Sequence, residues 1–113
     1  MSSVNGPSRP FKLVSANSTN ATSVSGNPGF AKLVQAINNG AAWAYLKIYD
    51  ENTAPNVGTD TSVLCFGLPP GGGTIESDVF WVKNGLSFAI TVNPSDSDTT
   101  AVASAQVVVN FLT

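Results

Sequence analysis

Residues 41–50 read AAWAYLKIYD, where small or aliphatic side chains (Ala42, Ala44, Leu46, Ile48) alternate with bulky amphipathic ones (Trp43, Tyr45, Lys47, Tyr49). Successive side chains of an extended chain point to opposite faces, so this period of two predicts a β-strand. Aromatic residues also suit the pleated surface of a sheet. Neither face is plainly made for solvent, which makes the stretch a central strand. Its aliphatic face is assigned to the core, and its aromatic face to a neighbouring element or a partner.

Working outward from that strand, the chain breaks into short alternating segments separated by turn residues. Upstream, Asn38-Asn39-Gly40 carries the strongest short hairpin signal and predicts that residues 30–37 form a strand paired directly with the central one. Phe11–Ser15 reads as a first strand and Ala21–Ser25 as a polar edge strand, with turn chemistry at 17–20 and a break at Gly26-Asn27-Pro28-Gly29. Downstream, residues 51–60 lack apolar periodicity and read as a long loop. Thr61–Leu68 reads as a strand ended by Pro69-Pro70-Gly71-Gly72-Gly73. Thr74–Val82 reads as one strand with Ile75, Val79 and Trp81 on one face and Glu76 and Asp78 on the other. Lys83-Asn84-Gly85 then turns the chain into Leu86–Val92, whose Leu86, Phe88, Ile90 and Val92 face inward. After a loop at 93–100, Ala105–Leu112 closes the fold with Val107, Val109 and Phe111 inward. About seven or eight short antiparallel strands and no capped helical period define an all-β protein, a single β-sandwich of jelly-roll or immunoglobulin-like type. The polar, proline-bearing residues 1–10 are expected to form an extended arm, and residues 11–113 the sandwich domain.

At 113 residues the chain supports one domain with a substantial core. Charged residues are 11% of the total, against roughly 25% in typical soluble proteins. A surface so poor in charge must rely on Ser, Thr, Asn and Gly or else be covered by other chains, and an assembled protein is the expectation. The net charge of −2, with Arg9, Lys12, Lys32, Lys47 and Lys83 scattered singly, speaks against nucleic-acid binding. No secretory leader pattern or apolar run of membrane-spanning length is visible, so synthesis in a cytoplasm and no membrane partner are expected.

Chemistry is sparse. The sequence holds no histidine, which removes the commonest general base and metal ligand. The single cysteine, Cys65 in VLCFG, reads as a small core hydrophobe. Glu76 and Asp78 share a strand face as an acid–base pair would, but read more simply as a solvated outer face. Asp96 and Asp98 offer too few ligands for calcium. The glycosylation sequons at Asn17 and Asn20 read as turns. No catalytic residue, metal or cofactor is therefore assigned, and no enzymatic activity is expected. The positive feature is aromatic. Trp43, Tyr45 and Tyr49 share one face, and such residues are enriched where proteins meet partners. In the arm, Val4 and Arg9 offer an apolar and a charged anchor.

The segments FKLVSANSTNATSV (11–24), AYLKIYD (44–50), APNVGTDT (54–61), NGLSFAIT (84–91), DSDTTAVA (96–103) and VVVNFL (107–112), in that order, resemble a group of small structural proteins of tailed bacteriophages and prophages. The likeness spans nearly the whole chain and is one of strands and turns. It implies a non-enzymatic virion component located on the capsid surface. Such a decoration, or cement, protein binds the major capsid protein lattice as a homo-oligomer, a trimer first and a dimer second. The alternative it implies is a tail-fibre, receptor-binding or carbohydrate-binding module that uses Trp43, Tyr45 or Trp81 as stacking platforms.

Overall fold

Alternation at period two runs through most of the chain, and the computed structural model, which describes residues 8–113, converts it into ten β-strands. In order they are β1 (Pro10–Val14), β2 (Thr22–Ser25), β3 (Gly29–Ala31), β4 (Leu33–Asn38), β5 (Ala44–Tyr49), β6 (Leu64–Leu68), β7 (Gly73–Ser77), β8 (Phe80–Val82), β9 (Leu86–Thr91) and β10 (Val107–Leu112). Sheet I has the order β1-β10-β4-β7, sheet II the order β2-β9-β5-β6, and β3 pairs with β8 in a separate ribbon. Every pairing is antiparallel. Among the described residues there is no helix.

The two sheets face each other across one core. Sheet I contributes Val34, Ala36, Val107, Val109 and Phe111, and sheet II contributes Leu46, Ile48, Leu86, Phe88 and Ile90, all buried in a single cluster. Phe88 ties the layers together. Its ring stacks on Phe111 at 5.1 Å and meets Phe11 edge-on at 6.0 Å, geometries in which ring quadrupoles attract. The molecule is thus an all-β sandwich, and AAWAYLKIYD supplies its central strand as predicted: β5 lies between β9 and β6, with Ala44, Leu46 and Ile48 in the core. The inward faces expected for Leu86–Val92 and for the last strand are also present.

Connectivity differs from the hairpins the turns suggest. Strands β4 and β5 lie in different sheets, so Asn39-Gly40 crosses between layers and closes no hairpin. The local signal is overridden by Asn38, which is fully buried. Its amide donates to the carbonyls of Ala42 (2.8 Å) and Leu68 (2.9 Å), while its oxygen accepts from the Gly40 amide (3.0 Å) and the Gln106 side chain (3.3 Å). One side chain thereby fastens the β4–β5 crossing, the end of β6 and the approach to β10. Lys83-Asn84-Gly85 likewise joins β8 of the ribbon to β9 of sheet II. Here Asp50 at the end of β5 takes the turn's amides: Lys83 at 3.0 Å, Asn84 at 2.7 Å and Gly85 at 3.3 Å. A Cβ at Gly85 would sit 2.6 Å from the Glu51 carbonyl oxygen and 2.7 Å from that of Ser25, so only glycine fits.

Two predicted strands are each divided. Residues 30–37 split at Lys32 into β3 and β4, and residues 74–82 split at Asp78-Val79 into β7 and β8. The second break shifts the alternation by one residue. Ile75 still faces the core, but Phe80 and Val82 take over beyond the break, leaving Val79 44% and Trp81 56% exposed. Of the arm expected over residues 1–10, Pro10 already belongs to β1, and Arg9 extends the ladder by exchanging backbone hydrogen bonds with Thr113 at 2.8 and 3.1 Å. Residues 1–7, Val4 among them, lie outside the described residues.

Candidate interaction surface

Strand β5 carries its non-core residues on the outer face of sheet II, and that face is divided along its length. At its lower end, Lys47 and Tyr49 are completely buried, as are their neighbours on the flanking strand, Ala89 and Ser87. Two loops form a roof over them. The Lys47 ammonium donates to the Ser95 carbonyl, and the hydroxyl and amide of Ser62 donate to Asp96 at 2.7 and 3.3 Å. The 93–98 loop is thereby tied both to the sheet and to the chain leading into β6. Asp98 shapes the same loop by accepting from the Asn93 amide (2.9 Å) and the Thr100 hydroxyl (2.7 Å). Burial pushes the Asp98 carboxyl up, but the hydrogen bonds from Thr100 and Asn93 outweigh it, and the group sits below the usual aspartate range.

Tyr49 therefore does not join Trp43 and Tyr45 on an open surface; the roof takes it. Its hydroxyl is buried without a hydrogen-bond partner among the described residues, as is that of Ser87. Burial first, and then the nearby charges of Asp96 and Glu51, push the phenol up to about 12. Lys47 is buried with it, so half of the predicted aromatic face is interior.

The upper half is open. Trp43, just ahead of β5, is 49% exposed, and its ring stacks on Tyr45 with centroids 6.2 Å apart and planes 21° from parallel. The two rings lean across Gly67, the residue paired with Tyr45 on β6. A Cβ at 67 would lie 3.3 Å from the Tyr45 ring and 3.4 Å from Trp43. Bare backbone on the edge strand thus gives the rings a flat bed. Sequence reading finds the two rings but not their floor, because a lone glycine in CFGL reads only as a weak strand position.

A second aromatic pair lies at the opposite end of the sandwich. Phe30 and Trp81 face each other across the β3–β8 ribbon, edge to face at 5.2 Å. The register fixes the separation. Tyr45 pairs with Thr91 at the far end of β9, whereas the ribbon adjoins Leu33 at the start of β4 and Leu86 at the start of β9. Arg9 is exposed at the ribbon end, where it pairs with Thr113.

Asp50 and the Glu51–Asp60 pair act in structure. Asp50 is pushed up by burial and pulled down further by the three amides it accepts, ending below its ordinary value. Glu51 is raised to about 7, first by burial and then by its hydrogen bond and charge interaction with Asp60. Among the described residues, no group of three metal-ligating side chains converges. Glu76 and Asp78 are both exposed, Glu76 on the outer face of β7. Asn20 is buried at a left-handed φ of 54°, its amide donating to Ala16 and Ser18 carbonyls at 3.0 Å each, which is the turn role expected for it. Cys65 is exposed on the outer face of edge strand β6, correcting the core position expected for it, because residue 65 pairs with Lys47 rather than with the aliphatic set.

Comparison with protein-family models, with curated proteins and with solved structures finds no match to this chain.

Proposed function

We propose that the protein is a non-enzymatic virion structural protein, a capsid decoration protein that docks on a lattice of major capsid subunits through the Trp43–Tyr45 platform. The observation that carries this reading is a half-exposed tryptophan, stacked and bedded on glycine, left open on a face otherwise roofed by its own loops. Rigid aromatic anchors of this kind supply contact area at little entropic cost. Two further features support it. Disregarding the ribbon, the strand orders β1-β10-β4-β7 and β2-β9-β5-β6 follow a jelly-roll course, an architecture shared by viral capsid and lectin domains. The scarcity of charge suits a molecule whose surface is covered by neighbours. Self-association on the particle, as a trimer or a dimer, belongs to the same reading.

The flat platform also favours a second reading, a carbohydrate- or receptor-binding module of a tail fibre, because an exposed indole face stacks on a sugar ring. Copy number separates the two. Quantitative densitometry of purified particles is expected to give hundreds of copies for a decoration protein and tens for a fibre module; absence from particles overturns both. In the same preparation, Trp43→Ala should abolish attachment while leaving the melting temperature of the isolated protein within about 2 °C, as befits a surface substitution. Undiminished attachment would move the docking surface elsewhere.

A further inference from the structure

The outer face of sheet I is uncovered among the described residues, and its register arranges the side chains in rows that cross three or all four of its strands. Val14, Val108, Ile37 and Thr74 form one row. Pro10, Leu112 and Leu33 form another. Between them runs a polar row, Lys12–Asn110–Gln35–Glu76, in which the Asn110 amide donates to the Gln35 side-chain oxygen at 2.9 Å. Its ends carry opposite charge, and both ends are exposed. Three inter-strand spacings separate them, about 14 Å. That exceeds the screening length of about 8 Å at physiological salt, so Lys12 and Glu76 do not satisfy each other within one chain.

We propose that this face pairs with the same face of a second copy about a two-fold axis. The axis lies in the interface, close to the strand direction, midway between β10 and β4. Such an axis reverses the polar row. Lys12 of each copy then faces Glu76 of the other, and Asn110 faces Gln35, whose amides can exchange hydrogen bonds. The apolar rows keep their heights and meet their own counterparts, Val108 and Ile37 on one side of the polar row and Leu33 and Leu112 on the other. An isologous interface requires a patch that is its own complement, and a row reading positive, amide, amide, negative across an even number of strands meets that requirement. Charges placed at the rim fix register and orientation more than they add affinity. The pairing deepens the dimer arm of the functional reading but does not depend on a virion: it is a property of the isolated chain.

Sedimentation equilibrium of the purified protein tests it. A face of four short strands falls at the small end of specific interfaces, so concentrations should run from about 1 μM to 1 mM. The expected result is a monomer–dimer equilibrium. Lys12→Glu and Glu76→Lys should each raise the dissociation constant at least tenfold, because each sets like charges opposite one another twice. The double charge swap Lys12→Glu/Glu76→Lys should restore wild-type dimerisation. Both positions are exposed, and unchanged far-ultraviolet dichroism checks that the variants fold. A monomer throughout, a trimer, or dimerisation indifferent to the single substitutions overturns the proposal, as does a double swap that behaves like the singles. A chain lacking residues 1–7 that dimerises where the full chain does not would give the face to the chain's own N-terminal segment, and so overturns it too.

Discussion

On the outer face of sheet II, Lys47, Tyr49, Ser87 and Ala89 are completely buried. On the outer face of sheet I, Leu33, Gln35, Val108 and Leu112 are half-buried, while Lys12, Val14 and Glu76 are exposed. The strands record the contrast. Every residue of β9 is buried, whereas β10 alternates strictly between buried and half-buried. The same architecture therefore yields a two-layer wall on one side, its outer face uncovered among the described residues, and a three-layer wall over the Lys47–Tyr49 half of the other, where loops make the third layer. The lesson is that burial on a strand's second face measures what the loops do, and a period of two in the sequence says only that there are two faces.

Five substitutions test that contrast, beginning with the element both walls share. Phe88→Ala removes the ring that joins the sheets and should cost about 3–5 kcal/mol in denaturant unfolding, through lost burial and the cavity left behind. A loss below about 1 kcal/mol would mean that the layers do not meet at Phe88. The walls themselves are compared by enlarging one residue on each outer face. Ala89→Leu, under the roof, should cost about 1–3 kcal/mol by overpacking, while Val108→Leu on the open face should stay within about 0.5 kcal/mol. Equal effects would erase the distinction.

A subtler effect concerns acidity where the roof begins. Glu51 binds its proton more tightly folded, at about 7, than its ordinary value of 4.5 allows. For a carboxyl shifted upward, the folded state holds the extra proton between those two values. Its contribution to stability is complete below 4.5 and is lost as pH rises through 7. Melting temperatures of the wild type should fall across this window relative to Glu51→Gln, and parallel profiles would contradict it. Asp50 and Asp98, shifted downward, act with the opposite sign: their contribution is present above 3.8 and is lost as pH falls below it. The smallest change is expected from Tyr49→Phe. Removing a buried hydroxyl that lacks a partner among the described residues should leave stability unchanged or raise it by up to about 1 kcal/mol, measured by the same unfolding curves. A clear loss would reveal a hydrogen bond to that oxygen.

The residues that declared themselves in the sequence are those whose environment repeats every second position. Leu46, Ile48, Phe88, Ile90, Val107 and Val109 are apolar at that spacing, and all are core. What stayed hidden depends on distant partners. Asn39-Gly40 has the local chemistry of a hairpin, but Asn38 is bonded not only to nearby Ala42 but also to Leu68 and Gln106, which no window around 39 contains. The one-residue shift at Asp78-Val79 exposes Trp81, because β8 answers to β3 and not to the sheet that β7 belongs to. The aromatic face of β5 was legible as a face, but the loop that closes over Tyr49 and Lys47 comes from residues 93–98. Chain pattern names the faces; contacts across the chain decide which of them meet solvent.

Strand β10 stands between β1 and β4, and among the described residues β1 has no other strand beside it in its sheet. Sheet I is therefore in two pieces until the last strand of the sequence arrives. Closing it joins residues 10–14 to residues 108–112, across almost the full length of the chain. Contacts so distant in sequence carry a large loop-closure cost and slow the folding search. During synthesis the first strand waits unpaired, with Phe11 and Leu13 uncovered, while some ninety residues are added. The topology therefore predicts that sheet I closes only once residues 107–112 have paired with both β1 and β4.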